Sequence, residues 1–163
     1  MKTRFITKSA IIAALYVALT LMFSELSFGN IQVRLGEILT ILPYFSASTI
    51  PGLTVGCLIA NIIGASASLT PALDIIIGTL ATLVSAILSY ALRKNKFLVP
   101  LPPVLINAIV VGLQLKYIVG IELPVYILML QVLVGQVIAC YIVGVPLIFI
   151  TEKNKQLKEM ICK

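Results

Sequence analysis

The stretch Ile38–Leu73, ILTILPYFSASTIPGLTVGCLIANIIGASASLTPAL, holds no charged side chain. At 1.5 Å per residue, a helix of that length is about twice what is needed to cross the hydrocarbon of a bilayer. The Pro51-Gly52 pair breaks it near the middle, as a turn does. The stretch therefore reads as two membrane helices. One runs from about Gly36 to Ser48 with a kink at Pro43, and the other from about Gly52 to Ala67.

Four more apolar runs flank these two. Ser9 to Ser24 follows a basic start, as the core of a signal peptide would. Its end, Thr20-Leu21-Met22-Phe23-Ser24-Glu25, lacks the small-x-small cleavage pattern, so the run reads as a first helix, 9–24. The polar stretch Glu25 to Gly36, with Asn30, Gln32 and Arg34, reads as a loop. Thr70-Pro71 opens a fourth helix, 71–92, with Thr as N-cap and Pro at the first helical position. Pro102-Pro103 leads into a fifth, 103–117, and Gly120 to Pro124 turns the chain into a sixth, 125–150, with a kink at Gly144 and Pro146. The expected fold is an all-α integral membrane bundle of six helices in a single domain spanning 1–163.

Composition and charge agree with that reading. Of 163 residues, 60% are hydrophobic and 11% charged, too little polar coverage for the surface of a soluble domain of this size. All basic residues but Arg34 and Lys116 fall in three clusters: Lys2, Arg4 and Lys8; Arg93, Lys94 and Lys96; Lys153, Lys155, Lys158 and Lys163. Basic residues collect in cytoplasmic loops, and an even number of crossings puts all three clusters, hence both termini, on that side. The net charge of +6 thus marks topology rather than nucleic-acid binding, which needs one basic face with reading elements. The other side is mildly acidic, with Glu25, Glu37, Asp74 and Glu122.

Polar residues recur at helical spacing. Asp74, Gly78, Thr82, Ser85 and Ser89 share one face of the fourth helix, and Asn107 and Gln114 one face of the fifth. A polar face on a lipid-embedded helix points into the bundle or a cavity. Gln131 and Gln136, five apart on the sixth helix, stand about 140° apart around an ideal helix. Each of these residues has a plain structural role open to it. Asp74 complements a helix N-terminus, Arg34 and Glu37 form a local ion pair, and Asn61 and Asn107 bond between helices. Tyr44 is either a packing ring or an aromatic wall for a flat ligand. Two stripes of small residues allow close helix approach: Ala10, Ala14 and Ala18 on the first helix, and Gly52, Gly56, Ala60, Gly64 and Ser68 on the third. The second reads as internal packing. The first is open to internal packing or to docking of another membrane protein.

Catalytic machinery is hard to assemble from this sequence. It has no histidine, no GxxxxGK[ST] phosphate loop, no nucleophile–base pair and no carboxylate cluster with metal spacing. Cys57, Cys140 and Cys162 are too dispersed for a metal site or a disulfide frame. No cofactor is expected.

Four segments, in order, resemble the QueT family: residues 32–44 (QVRLGEILTILPY), 51–61 (PGLTVGCLIAN), 74–83 (DIIIGTLATL) and 101–108 (LPPVLINA). The resemblance covers nearly the whole chain. It implies the substrate-binding S component of an energy-coupling-factor transporter in a bacterial cell membrane, with six helices and an outward pocket. It implies a queuosine precursor as substrate, a 7-deazaguanine base such as queuine or its aminomethyl precursor. It also implies as partners a transmembrane coupling subunit, docked on Ala10, Ala14 and Ala18, and two cytoplasmic ATPases. A carboxylate accepts adjacent N–H donors of a guanine-like edge as a bidentate pair, and a second acid suits a cationic side-arm amine. Glu37 and Asp74 fit those tasks, with Asn107, Gln131, Gln136, Arg34 and Asn61 as further polar contacts and Tyr44 covering a flat face. The residues alone also admit an S component for another flat vitamin such as a flavin or thiamin, an intramembrane enzyme, or a structural subunit of a membrane complex.

Overall fold

The computed structural model of the chain describes residues 2–23, 34–67 and 72–162. Those residues form helices and no strand. In chain order they are α1 (Lys2–Met22), α2 (Leu35–Tyr44), α3 (Thr49–Ala67), α4 (Ala72–Ala91), α5 (Leu101–Tyr117), α6 (Val125–Lys153) and α7 (Lys155–Cys162). Residues 25–33 of the loop read at 25–36, the Thr70-Pro71 cap and Ser68 lie outside the described residues, as do the side chains of Asp74 and Cys162; Leu35 and Gly36 belong to α2.

The second helix differs from its expected form. It is a 3-10 helix that ends at Tyr44 rather than near Ser48. Pro43 lies inside it and has no N–H to continue an α ladder. Thr40 turns its hydroxyl back onto the Glu37 carbonyl three residues earlier (2.6 Å), the spacing a 3-10 turn presents. At about 2 Å per residue this helix is shorter than the hydrocarbon thickness of roughly 30 Å. It lies inside the bundle, against α1, α3, α4 and the middle of α6, while α1, α3, α4, α5 and α6 pack side by side in the order α1–α3–α4–α5–α6.

Among the described residues two helices, α1 and α6, are long and apolar enough to cross a membrane (Thr3–Met22 and Val125–Lys153). Leu35–Tyr44, Thr49–Gly64, Ile75–Ala91 and Leu101–Tyr117 are shorter apolar helices. Where a kink was expected near Gly144 and Pro146, the helix has a π-helical segment, Ile138–Gly144, one residue short of Pro146. A π turn absorbs the ladder bond that a proline removes. Gly144 lets this segment press on Ile41 of α2, where a Cβ would stand 2.9 Å from Ile41 Cγ2.

Helices α1 and α3 pack with their backbones close together. A Cβ on Gly52 would lie 2.6 Å from the Ser9 carbonyl, and one on Gly56 would lie 3.0 Å from Ala13 Cα. The small ridge of α3 is therefore internal packing, as expected. Ala10, Ala14 and Ala18 face the other way and are exposed. After α5 the chain reverses through Gly120 at φ +81°, a left-handed conformation that glycine adopts without the Cβ penalty.

The residues read as a basic tail fold into α7, whose Leu157, Met160 and Ile161 line a groove with Ile11, Ile12 and Leu15 of α1. Lys8 Nζ donates to the Ile161 carbonyl (3.1 Å). Lys96 pairs with Glu152 (3.0 Å), and Arg93, Lys94 and Lys158 line one cleft. Members of all three basic clusters thus gather at one end of the bundle.

The distribution of polarity is inverted relative to a soluble domain. Ile59, Ile62, Leu80, Ile87, Ile109 and Leu130 are exposed, whereas Arg34, Glu37, Asn61, Thr82, Asn107 and Gln136 are buried. Water does not favour such an exterior, and lipid does. The chain is a membrane protein.

Candidate binding site

Glu37 is the centre of the buried polar group. The 3-10 turn of α2 carries it into the bundle, where it is 0% exposed. Tyr16 of α1 donates its hydroxyl to Glu37 Oε1 at 2.6 Å, the length of a charge-assisted O–H···O⁻ bond. Thr82 of α4 and Asn107 of α5 also stand beside the carboxylate. The Cys140 thiol, from the π segment of α6, has the Glu37 carbonyl and Gln136 Oε1, both at 3.6 Å, as acceptors for its one proton.

A second strand of the network runs from Arg34. Its Nη2 donates to Asn61 Oδ1 (3.1 Å). Asn61 Nδ2 donates to Cys57 Sγ (3.4 Å), as does the Thr82 hydroxyl (3.2 Å). Gly78 makes room here, since a Cβ on it would stand 3.2 Å from Asn61 Nδ2 and 3.9 Å from an Arg34 nitrogen. Arg34 bonds Asn61, and its charge acts on the Glu37 carboxylate through space.

Several buried polar atoms are left open. Among the described residues, Glu37 Oε2, Asn107 Nδ2 and Gln131 Oε1 have no hydrogen-bond partner, nor do the hydroxyls of Thr20 and Ser85. A buried polar atom without a partner costs about 1–3 kcal/mol, more if charged. Glu37 Oε2 on α2 and Asn107 Nδ2 on α5 stand near one another but too loosely for a hydrogen bond between them, so each keeps capacity for a ligand. That pair suits a planar group presenting one N–H and one carbonyl oxygen.

The structure brings together Glu37, Arg34, Asn61, Asn107 and Gln136. It places Gln131 on the same helix as Gln136, with its Oε1 buried. Asp74 lies in the first turn of α4, with its side chain outside the described ones. Tyr44 does not join the group. It sits at the far end of α2, edge-on against Phe45 (4.9 Å between ring centres), where its hydroxyl donates to Glu152 Oε1 (2.6 Å) among the basic clusters. Tyr16, Thr82, Cys57 and Cys140 were missed as members of the site. Tyr16 and Cys57 lie in apolar runs with no polar periodicity of their own. Thr82 did carry a signal, as part of the polar face of the fourth helix. Among the described residues no group of carboxylates and cysteines has the makings of a metal site.

Comparison with known proteins agrees with this picture. A family profile described as "QueT transporter" matches residues 6–153. The chain is 40% identical over 85 residues to a protein of Lactococcus lactis subsp. cremoris (strain MG1363) named "Queuosine precursor transporter QueT". That alignment covers 51% of this chain and 47% of the relative, so the chain spans about half the length of the curated protein it matches. No solved structure gives a significant match.

Proposed function

The chain belongs to the QueT transporter family, and on that premise we propose that it is the substrate-binding membrane subunit of an energy-coupling-factor importer for a queuosine precursor. The substrate is a 7-deazaguanine base. The observation that carries the reading is the pair of open atoms, Glu37 Oε2 and Asn107 Nδ2, buried inside an apolar-clad bundle. Ionisable groups at such positions are costly and mark ligand or ion sites. A guanine-like base supplies the complement: its ring N–H donates to Glu37 Oε2, and its carbonyl oxygen accepts from Asn107 Nδ2. The Tyr16 hydroxyl fixes the carboxylate so that one oxygen stays available. Asp74 takes the cationic amine of the side arm.

The remaining parts of the reading follow from the rest of the fold. The end bearing the three basic clusters is cytoplasmic, with the chain crossing a bacterial cell membrane several times and both termini inside. The exposed Ala10, Ala14 and Ala18 form a flat stripe on which a transmembrane coupling subunit approaches closely. With no phosphate loop in this chain, ATP is hydrolysed by two separate cytoplasmic subunits.

Isothermal titration of the purified protein with a 7-deazaguanine base tests the reading. Glu37→Gln and Asp74→Asn are each expected to weaken binding more than about tenfold, since losing one partner of a buried charged hydrogen bond costs about 2–5 kcal/mol. Wild-type protein that binds a flavin or thiamin but no deazaguanine, or variants of unchanged affinity, would overturn it.

A further inference from the structure

The basic end of the bundle contains a second built feature, distant from Glu37. An open cleft of about 360 Å³ is lined by Tyr44, Phe45, Arg93, Lys94, Glu152 and Lys158. Its parts come from the end of α2, the loop after α4, the end of α6 and the start of α7. Both oxygens of Glu152 are engaged: Oε1 accepts from the Tyr44 hydroxyl (2.6 Å) and Oε2 from Lys96 Nζ (3.0 Å). The acid thus offsets Lys96. Arg93, Lys94 and Lys158 then give the cleft a net positive charge, and among the described residues no other carboxylate lines it. Arg93 is held in place with its guanidinium 4.1 Å from the centre of the Tyr90 ring.

We infer that this cleft is a binding site for the phosphate headgroup of an anionic phospholipid. A headgroup phosphate supplies the negative charge that three convergent cations call for. The surroundings select a lipid over a free anion. The same ends of α4 and α6 expose Leu92, Phe97, Phe149 and Ile150, so apolar surface for acyl chains begins where the basic residues stop. Juxtaposed basic and apolar surface at the rim of a bundle is the pattern with which membrane proteins hold anionic lipids. The inference does not depend on what the Glu37 group binds.

The test uses the full chain in mild detergent, titrated with phosphatidylglycerol and, separately, with phosphatidylcholine, with bound lipid read by native mass spectrometry. Phosphatidylglycerol is expected to bind at lower concentration. The triple variant Arg93→Gln, Lys94→Gln, Lys158→Gln raises its half-saturation at least about tenfold, each lost cation contributing up to about fivefold, and leaves phosphatidylcholine unchanged. Glu152→Gln moves the half-saturation the other way, toward tighter binding, which a misfolded protein would not do. Lys153→Gln with Lys155→Gln, on the same tail but outside the cleft, stays at the wild-type value. The inference fails if the two lipids bind alike, or if the triple variant is no weaker than the Lys153/Lys155 control. It also fails if inorganic phosphate displaces phosphatidylglycerol at equal concentration, which would assign the cleft to a free anion.

Discussion

Tyr16→Phe removes one hydroxyl and little else. The ring is 1% exposed and packs among Leu39, Leu53 and Cys57, so phenylalanine keeps that packing. What is lost is the 2.6 Å bond to Glu37 Oε1. Glu37 is 0% exposed, so replacement of the bond by bulk water needs the bundle to open, as ligand entry does. Hydrogen bonds to charged groups contribute about 1.5–3 kcal/mol and neutral ones about 0.5–1.5 kcal/mol. Tyr16→Phe is therefore expected to destabilise the bundle by about 1.5–3 kcal/mol in the wild-type background but only about 0.5–1.5 kcal/mol beside Glu37→Gln. The midpoints of these ranges differ by about 1 kcal/mol, the coupling expected from a double-mutant cycle. The chain has no tryptophan, so unfolding in mixed detergent micelles is followed by helical circular dichroism. Equal costs in the two backgrounds would show that the hydroxyl does not stabilise the carboxylate, and the account of a fixed, half-paired Glu37 would be wrong.

Two further predictions concern the scaffold. Gly56→Ala would set a Cβ 2.8 Å from Tyr16 Cβ and 3.0 Å from the Ala13 backbone. Backbone cannot rotate aside as a side chain does, so α1 and α3 separate, and the same dichroism assay is expected to register a loss of about 1–3 kcal/mol; unchanged stability would mean that the helix contact is looser than described. In a Cys162→Ser background, Cys57 and Cys140, both 0% exposed, are expected to resist a water-soluble maleimide in the native protein and to react fully once dodecyl sulfate unfolds it. Rapid native labelling of either would show that water enters the buried network.

How much of the site was legible in the sequence follows from the range of each signal. The polar face of α4 was readable because helical periodicity is local: residues three and four apart fall on one side whatever surrounds them. Gly78, Thr82, Ser85 and Ser89 are indeed all buried. Glu37 stood out as a charge adjoining an apolar run, and its burial in a membrane bundle was foreseeable. Its partner was not. Tyr16 lies 21 positions earlier in an apolar helix, and only the fit of α1 against α2 sets its hydroxyl on the carboxylate. The partner of Tyr44 was unreadable for the same reason, since Glu152 is 108 positions away. The α2 boundary was missed because one proline is compatible with a kinked α-helix or a short 3-10 turn, and the walls around it select the shorter form.

The sequence by itself determined the solvent and the inventory: long uncharged runs that belong in lipid, basic clusters at their ends, and a few amides and acids that lipid will not accept. Those properties depend on composition and short-range spacing, which no folding partner alters. The tertiary structure alone decided which of the polar groups satisfy one another and which remain open. That outcome depends on contacts between helices distant in the chain, set by where glycines let backbones close together. Tyr16 closing one oxygen of Glu37 and leaving the other beside Asn107 is a result of that packing, and no local pattern encodes it.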